Sequence, residues 1–211
     1  MENNDKGWFD ANRDTFESAV KAPLTALLEL GAATFGGTVW VSRPYRDTRF
    51  AKDKSPIKPS LFGAVLVPAA AGGPTARSAG LYAGISAEGV RAAGGHHELS
   101  TDQLARYRAA LDAPQKAAAL KAILAAAEPA MALRGNALKT APRGFARDHP
   151  ELALLRMKEM ILIRAFPPDA CGPGLGEEAI AAWRLAIPLL DWFARHVGPP
   201  DEAPARRAAR R

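Results

Sequence analysis

The chain has 211 residues, of which 48% are hydrophobic and 24% are charged. That length suffices for one domain with its own core, and the composition is that of an ordinary globular protein. No apolar run is long enough to cross a membrane and no signal peptide is recognisable, so we expect a cytoplasmic protein without membrane contact. A single cysteine, Cys171, excludes an intramolecular disulfide and a zinc site built from cysteines.

The net charge of +6 is distributed unevenly along the chain. Residues 43–58 carry six Lys or Arg against two Asp, and residues 101–150 carry eight basic groups against four acidic ones. The tail 198–211 carries four Arg against two acidic groups. Clustered positive charge favours an anionic partner but does not identify it.

The region before Gly36 is predicted to be helical, because apolar residues recur at three- and four-residue steps and define one buried face. Pro23 lacks a backbone donor, so it predicts a kink or a break into two helices. The four tryptophans fall on buried stripes and are expected in the core. The apolar face consists of Trp8, Phe9, Phe16, Val20, Leu24, Leu27 and Leu28, and the other tryptophans are Trp40, Trp183 and Trp192.

Four strands are predicted in the middle of the chain from alternating or β-branched and aromatic residues. The last two are joined by a short turn at Ala87–Glu88, which predicts a hairpin. Residues 69–80 are small and contain Gly and Pro, so they are expected to form an exposed mobile loop. The strands are expected at 38–43, 61–67, 81–86 and 89–95.

Helices are predicted again in the second half. Ser100 and Gln103 have the spacing of a capping box, and Pro114 suits the first position of a helix. Asp148 is a candidate cap for a third helix. A strand is expected at 161–166, and a last helix at about 176–196, in which Pro188 predicts a kink.

Because the strands cluster without regular helix alternation, the predicted fold is α+β, a mostly antiparallel sheet flanked by helices. We expect a single α+β domain over residues 1–197 and a disordered basic tail over 198–211.

Two segments together resemble a known family. One is the pattern Arg-Asp-x-Arg-Phe-x-x-Asp-Lys-Ser-Pro-x-Lys at 46–58, and the other is Pro-Arg-Gly-x-x-x-x-His-Pro at 142–150. With "NNDKGWFDANRDTF" and "GGHHELSTDQLARYRAAL", they resemble the family catalogued as domain of unknown function 2461, from about Asn3 to Phe193. The sequence departs from the family pattern at Ile57, where an aromatic is common, and at Pro59. The resemblance implies fold and site location, and it carries no assigned reaction.

The basic stretch 43–58 is the first candidate site. Pro44 and Pro56 within the stretch and Pro59 directly after it restrict the segment. Phe50 is expected to anchor it to the core, and arginine forks suit phosphate or carboxylate. We therefore predict a site for a phosphorylated or otherwise anionic small ligand. The alternative is a solvated loop whose charges pair among themselves, a salt-bridged brace. The predicted ligand-binding residues of this stretch are Arg43, Arg46, Arg49, Lys54 and Lys58, and if the protein is an enzyme, Asp47 would orient an arginine.

The second motif supplies the other candidate residues. His149 is the best acid/base candidate, because histidine titrates near neutral pH. Its alternative is a helix-entry residue that only hydrogen-bonds the loop. We expect this motif to converge with the first, with Phe145 as its anchor, and with Arg143 and Lys158 as further ligand-binding residues.

Metal and cofactor chemistry is not expected. His96 and His97 are adjacent on a predicted strand and would point to opposite faces, which is a poor arrangement for a metal pair. We therefore predict no metal site and no cofactor. A nucleic-acid-binding module that uses the basic stretch and the Arg-rich tail remains an alternative, and the sequence leaves the reaction and the oligomeric state open.

Overall fold

The structure is a computed structural model that describes residues 4–49, 52–68, 70 and 78–201. Phe50 and the tail 202–211 lie outside the described residues, as do most of the predicted loop 69–80. The elements in chain order are α1 (Lys6–Ala11), α2 (Arg13–Phe16), a π-helix (Glu17–Lys21), α3 (Ala22–Phe35), β1 (Thr38–Val41), β2 (Ser60–Leu66), β3 (Ala79–Ser86), β4 (Gly89–His96), α4 (Thr101–Leu111), α5 (Pro114–Ala127), β5 (Ala132–Arg134), α6 (Leu152–Leu155), β6 (Met160–Phe166), a 3₁₀ turn (Pro168–Ala170) and α7 (Leu175–His196).

The six strands form one sheet in the order β1-β2-β3-β4-β6-β5, and every neighbouring pair is antiparallel. The predicted α+β fold with an antiparallel sheet is confirmed. The predicted strands are present within two residues of their expected ends, and Ser86 pairs with Gly89 in the predicted hairpin. The sequence reading missed β5, which has only three residues and no alternating pattern.

The helical N-terminal region is interrupted differently from the prediction. Pro23 lies in the first turn of α3, directly after a π-helix in which the N–H of Ala22 donates to the carbonyl of Glu17, five residues back. The wider π-turn already departs from the regular α-helical hydrogen-bonding pattern, so the missing N–H of Pro23 does not interrupt the helix. The chain therefore stays helical through Pro23. The break lies instead at Asn12, between α1 and α2, where φ is −110° and ψ is 16°.

Helices α3 and α7 cover one face of the sheet. They approach closely because Gly31 on α3 has no side chain: a Cβ there would lie 2.6 Å from the ring of Trp183. Trp183 and Trp192 are buried, as predicted, and Trp40 is partly buried. Trp8 is not a core residue, because 47% of it is exposed. One cluster of buried side chains extends from Leu24 to Val197.

The predicted capping box is confirmed, since the side chains of Ser100 and Gln103 each accept a backbone N–H of the other residue. Asp148 is not a helix cap. The helix expected after it shrinks to α6, whose four residues follow Glu151 and have no side-chain cap. The reason is that the segment before α6 is held by contacts to α4 and α5, described below.

The boundary of the predicted tail needs correction. Residues 198–201 are tied to α4: Gln103 Nε2 donates to the carbonyl of Gly198 at 2.9 Å, and Arg106 bonds Asp201 at 2.6 Å. The single-domain assignment itself stays a prediction. Within the described residues, no helix combines the length and the apolarity that crossing a membrane requires.

Candidate functional site

The arginines of residues 43–58 are largely occupied by neighbours within the same segment. Arg46 donates to Ser55 Oγ at 2.7 Å and forms an ion pair with Asp53. Arg49 donates two parallel hydrogen bonds to Asp47, from Nε to Oδ1 at 2.9 Å and from Nη2 to Oδ2 at 2.6 Å. Asp47 is therefore the partner of Arg49, and its role in an enzyme stays a prediction. These contacts have the form of the salt-bridged brace considered for this segment.

The two carboxylates of the segment are stabilised in their charged form. Hydrogen bonds from Arg49 lower the pKa of Asp47 to about 2. The pKa of Asp53 is also lowered to about 2, first by the N–H and the hydroxyl of Ser55 and then by Arg46. Both carboxylates are exposed to solvent, so these pairs shape the segment more than they stabilise the fold.

Two of the three lysines of the segment, Lys54 and Lys58, donate to backbone carbonyls. Lys54 Nζ donates to the carbonyl of Thr48 at 2.9 Å, and Lys58 Nζ donates to the carbonyl of Arg43 at 2.8 Å. The Lys58 ammonium also lies 5.3 Å from the centre of the Phe62 ring. Each ammonium has three donors, so both lysines retain hydrogen-bonding capacity for an anion.

The two arms of the segment meet at its base. Tyr45 and Ile57 form an antiparallel bridge, flanked by bonds from the Arg46 N–H to the Pro56 carbonyl and from the Lys58 N–H to the Pro44 carbonyl, both at 2.8 Å. This base is where the segment touches the N-terminal helices. It therefore fixes the position of Pro44, Ile57 and Lys58.

A cavity of about 700 Å³ lies between this base, the N-terminal helices and the end of the β3–β4 hairpin. It is mostly apolar, with three aromatic rings and a few hydroxyl and amide groups, as small-molecule sites commonly are. Part of its wall is the π-helix, a local irregularity that is frequent at functional sites. The lining residues are Asn4, Trp8, Phe9, Asn12, Thr15, Phe16, Val20, Pro44, Ile57, Lys58, Pro59, Ser60, Leu61, Ile85, Ser86 and Ala87.

The second motif is a turn followed by a histidine whose two ring nitrogens both have partners. The N–H of Phe145 bonds the carbonyl of Pro142, and Gly144 has a φ of 90°, which favours glycine at that position. Pro142 is buried and Phe145 packs against the core, as expected of the anchor, whereas Arg143 is exposed.

Both ring nitrogens of His149 have partners. Nδ1 accepts the N–H of Glu151 at 3.0 Å, and Nε2 lies 3.3 Å from Asp112 at the end of α4. Glu151 in turn bonds Lys121 on α5 at 2.5 Å. A general base needs a free nitrogen that faces a substrate. The contacts of His149 are those of a residue that joins the loop to α4.

The predicted convergence of the two motifs is wrong. Residues 43–58 lead into Ser60, which pairs with Ser86 at the end of β3. The second motif leads into Met160, which pairs with His96, and His96 pairs with Ala79 at the start of β3. The motifs therefore lie at opposite ends of the strands. Two strands also lie between β2 and β6. The starts of β2 and β6 are therefore about 14 Å apart across the sheet and about 20 Å apart along the strands.

A larger groove of about 1020 Å³ lies beside the second motif, between α5 and strands β5 and β6. Its lining includes Pro150 and Glu151, but neither His149, Arg143 nor Lys158. Two of its cations are already neutralised, since Lys121 pairs with Glu151 and Arg164 pairs with Glu178. Its composition fits a ligand less well than the apolar cavity at the first motif.

The comparisons with known proteins agree with the resemblance seen in the sequence. Residues 1–192 match the family model described as "Conserved hypothetical protein (DUF2461)". The chain belongs to this family. No curated protein and no solved structure matches it. Membership in the DUF2461 family thus covers both motifs and the N-terminal helices, and it assigns no ligand to the cavity.

Sequence reasoning missed most of the cavity wall in this DUF2461 protein. Asn12 and Thr15 belong to the segment "NNDKGWFDANRDTF", which contributed to the resemblance but was interpreted as an ordinary amphipathic helix. The available signal was Trp8, a large aromatic residue next to polar Asn and Asp residues.

His96 is fully buried and faces α7, stacked on Phe193 with ring centres 4.4 Å apart, whereas His97 lies near Tyr82. Neither ring nitrogen of His96 has a hydrogen-bond partner within the described part of the chain. In that part, no group of three or more His, Cys, Asp or Glu side chains is placed to hold a metal ion.

Proposed function

We propose that this DUF2461 protein binds a small anionic molecule that has an apolar body, and that the binding site is the 700 Å³ cavity at the base of residues 43–58. The observation that carries the proposal is the combination of three aromatic rings, Trp8, Phe9 and Phe16, with Lys58 on the rim of one cavity. The apolar body would lie against the rings. The anionic group would take the donors of Lys58 that remain beside the Arg43 carbonyl.

The roles of the other predicted site residues follow from their contacts. Arg46 and Arg49, paired with Asp53 and Asp47, hold the segment that carries Lys58. Arg43, next to the lining residue Pro44, adds positive charge beside the cavity and attracts an anion by its field. Lys54 does not line the cavity and has no proposed contact with the ligand.

Arg143, His149 and Lys158 are not part of the proposed site, because they lie at the other end of the sheet. No reaction is proposed, and the cytoplasmic location stays a prediction from the sequence. The nucleic-acid alternative depends on the Arg-rich tail, and no contact within the described residues favours it.

The test uses two dyes with the same aromatic body. Anilinonaphthalene sulfonate carries a negative charge, and its parent phenylnaphthylamine does not. We expect saturable fluorescence enhancement with both dyes. Lys58→Met should weaken binding of the sulfonate about tenfold, the effect of one charged hydrogen bond, and leave binding of the parent unchanged.

Lys54→Met is the matched control, because Lys54 also donates to a carbonyl of the same segment but does not line the cavity. A second variant, Thr15→Trp, should fill the cavity and abolish binding of both dyes, whereas Ser18→Trp on the neighbouring turn should not. Equal sulfonate binding by the wild type and Lys58→Met, or undiminished binding by Thr15→Trp, contradicts the proposal.

A further inference from the structure

Helix α1 forms one wall of the cavity and is fastened to the rest of the protein at its two ends. At the start, the Asn4 side chain pairs with the backbone of Ile57: Nδ2 donates to the carbonyl at 2.9 Å, and Oδ1 accepts the N–H at 3.0 Å. Near its end, the Phe9 ring packs 5.6 Å from the Tyr45 ring. Arg13, the first residue of α2, donates through Nη2 to the Tyr45 hydroxyl at 3.0 Å and pairs with Asp10 of α1, so it links the two helices across Asn12.

The joint between α1 and α2 is a single residue. Asn12 has non-helical backbone angles, and its N–H bonds the carbonyls of both Trp8 and Phe9. Its side-chain Nδ2 also donates to the Trp8 carbonyl at 2.8 Å. A rotation at one such residue swings the six residues of α1, because hinges lie where an element ends. The rotation separates the Asp10–Arg13 ion pair and the Phe9–Phe16 ring contact, which cross the joint.

The part of α1 that faces the cavity contains Trp8 and Phe9, which differ in burial. Phe9 is 4% exposed and packs on Phe16 beyond the joint, with ring centres 5.1 Å apart. Trp8 is 47% exposed, although it lines the cavity. Phe9 thus holds the closed position from a point close to the joint, while Trp8 lies where a ligand would cover it.

We propose that α1 is a lid over the cavity, which turns at Asn12 and is held shut by the pair between Asn4 and Ile57. The proposal rests on the proposed function in one respect, namely that the lid admits and then covers a ligand. The Asn4–Ile57 pair is well suited to a reversible latch. Both of its partners are polar and become solvated by water when the lid opens, so the net contribution of this pair to the cost of opening is far below the strength of its bonds.

The experiment is hydrogen exchange of the ligand-free protein, read by mass spectrometry. A helix of six residues is not stable once it leaves the protein surface, so α1 unwinds when the lid opens. The informative amides are therefore those of Phe9 and Asn12, which are hydrogen-bonded to Asp5 and Trp8 in the closed form. We expect them to exchange faster than the interior of α3, because local opening of α1 does not require global unfolding. Asn4→Ala should accelerate them about a further tenfold, the effect of losing two hydrogen bonds, and leave α3 unchanged.

Asn136→Ala is the matched control, because the Asn136 side chain also makes a close contact, with Glu159 Oε1 at 2.7 Å, but lies far from α1. It should leave the exchange of α1 unchanged. If the amides of Phe9 and Asn12 exchange as slowly as those of α3 and do not respond to Asn4→Ala, the lid proposal is wrong.

Addition of anilinonaphthalene sulfonate separates the lid from the proposed function. If α1 is a lid, the bound dye should slow exchange at Phe9 and Asn12. If the dye binds at the cavity without changing amide exchange in α1, the lid proposal is wrong and the proposed function is unaffected. Fast, latch-dependent exchange in a protein that binds neither dye supports the hinge and the latch and contradicts the proposed function.

Discussion

The two family motifs of this protein have similar basic composition but opposite relations to the structure around them. In residues 43–58 the ionic groups pair within the segment, and its base is joined to the N-terminal helices around an apolar cavity. In residues 142–150 the histidine, His149, contacts Asp112 at the end of α4, and Glu151 beyond the motif pairs with Lys121 on α5.

The difference teaches that charge density alone does not locate a site. The first segment has an apolar cavity next to lysines that retain donors. The second motif has exposed cations, among them Arg143, but the groove beside it contains ion pairs that are already formed. An amphipathic anion needs an apolar surface and an available cation together, and the first arrangement supplies both. In the groove beside the second motif, two of the three cations are paired with carboxylates, and Arg134 is the third.

The largest expected effect separates the aromatic anchors of the two regions. Phe9→Ala removes a buried ring that contacts Phe16 and Tyr45, so we expect a loss of about 3 kcal/mol in the free energy of unfolding. Phe145→Ala removes a ring that is only partly buried, so about 1 kcal/mol is expected. Urea unfolding followed by circular dichroism measures both.

Phe9→Ala should also abolish dye binding, whereas Phe145→Ala should leave it intact. Equal losses of stability, or a loss of dye binding in Phe145→Ala alone, would break the comparison by showing that the first region is no better packed than the second.

The next effect concerns a group that belongs to neither region. Burial, helped by the neighbouring His97, lowers the pKa of His96 to about 3. The unfolded chain therefore binds a proton that the folded chain rejects once the pH falls below the ordinary value of 6.5. Stability is complete above that pH and should decrease by up to about 1.4 kcal/mol per pH unit below it.

Urea titrations at pH 7, 6 and 5 measure this slope. His96→Leu should flatten it, because leucine takes no proton, and His97→Leu should not. An unchanged slope in His96→Leu would show that the acid sensitivity comes from another group.

Much of the fold could be predicted from the sequence because local patterns specify it. The strands alternate, the 86–89 turn is short, and Ser100 and Gln103 sit at the spacing of a capping box. The composite site could not be predicted correctly, because proximity of the two motifs depends on strand order. Nothing local to Arg46 or His149 records that β6 lies beyond β4 rather than beside β2.

The cavity could not be predicted for a related reason. Its wall includes Asn4 and Ile57, which are 53 residues apart in the sequence. The Asn4 side-chain amide hydrogen-bonds both backbone groups of Ile57, as a neighbouring strand would. The exposure of Trp8 was missed because helical periodicity places it beside Phe9 on one face, while the joint at Asn12 turns α1 away from that face.

A smaller effect is expected in the second motif. His149→Leu removes the acceptor for the Glu151 N–H and the contact with Asp112, so we expect a loss of about 1 kcal/mol in stability and no change in dye binding. His149→Asn can keep one acceptor and should recover part of the loss. A large decrease in dye binding by either variant would show that His149 belongs to the ligand site after all.

The smallest effect tests what the arginines of the first segment do. The pKa values of Asp47 and Asp53 are lowered from 3.8 to about 2, so their pairs are complete above pH 4 and are lost as the pH falls through about 2. Because both carboxylates are exposed, we expect almost no change in global stability across that window. Carboxyl-carbon chemical shifts, measured by NMR as a function of pH, can follow each group separately. Arg49→Gln should raise the pKa of Asp47 only part of the way to its ordinary value, because the backbone N–H of residue 49 still donates to it. The same variant should leave the pKa of Asp53 low, since Asp53 depends first on Ser55. If Asp47 titrates normally in the unmodified protein, the brace is absent. Arg49 is then available to an anion, which would extend the proposed site along the segment.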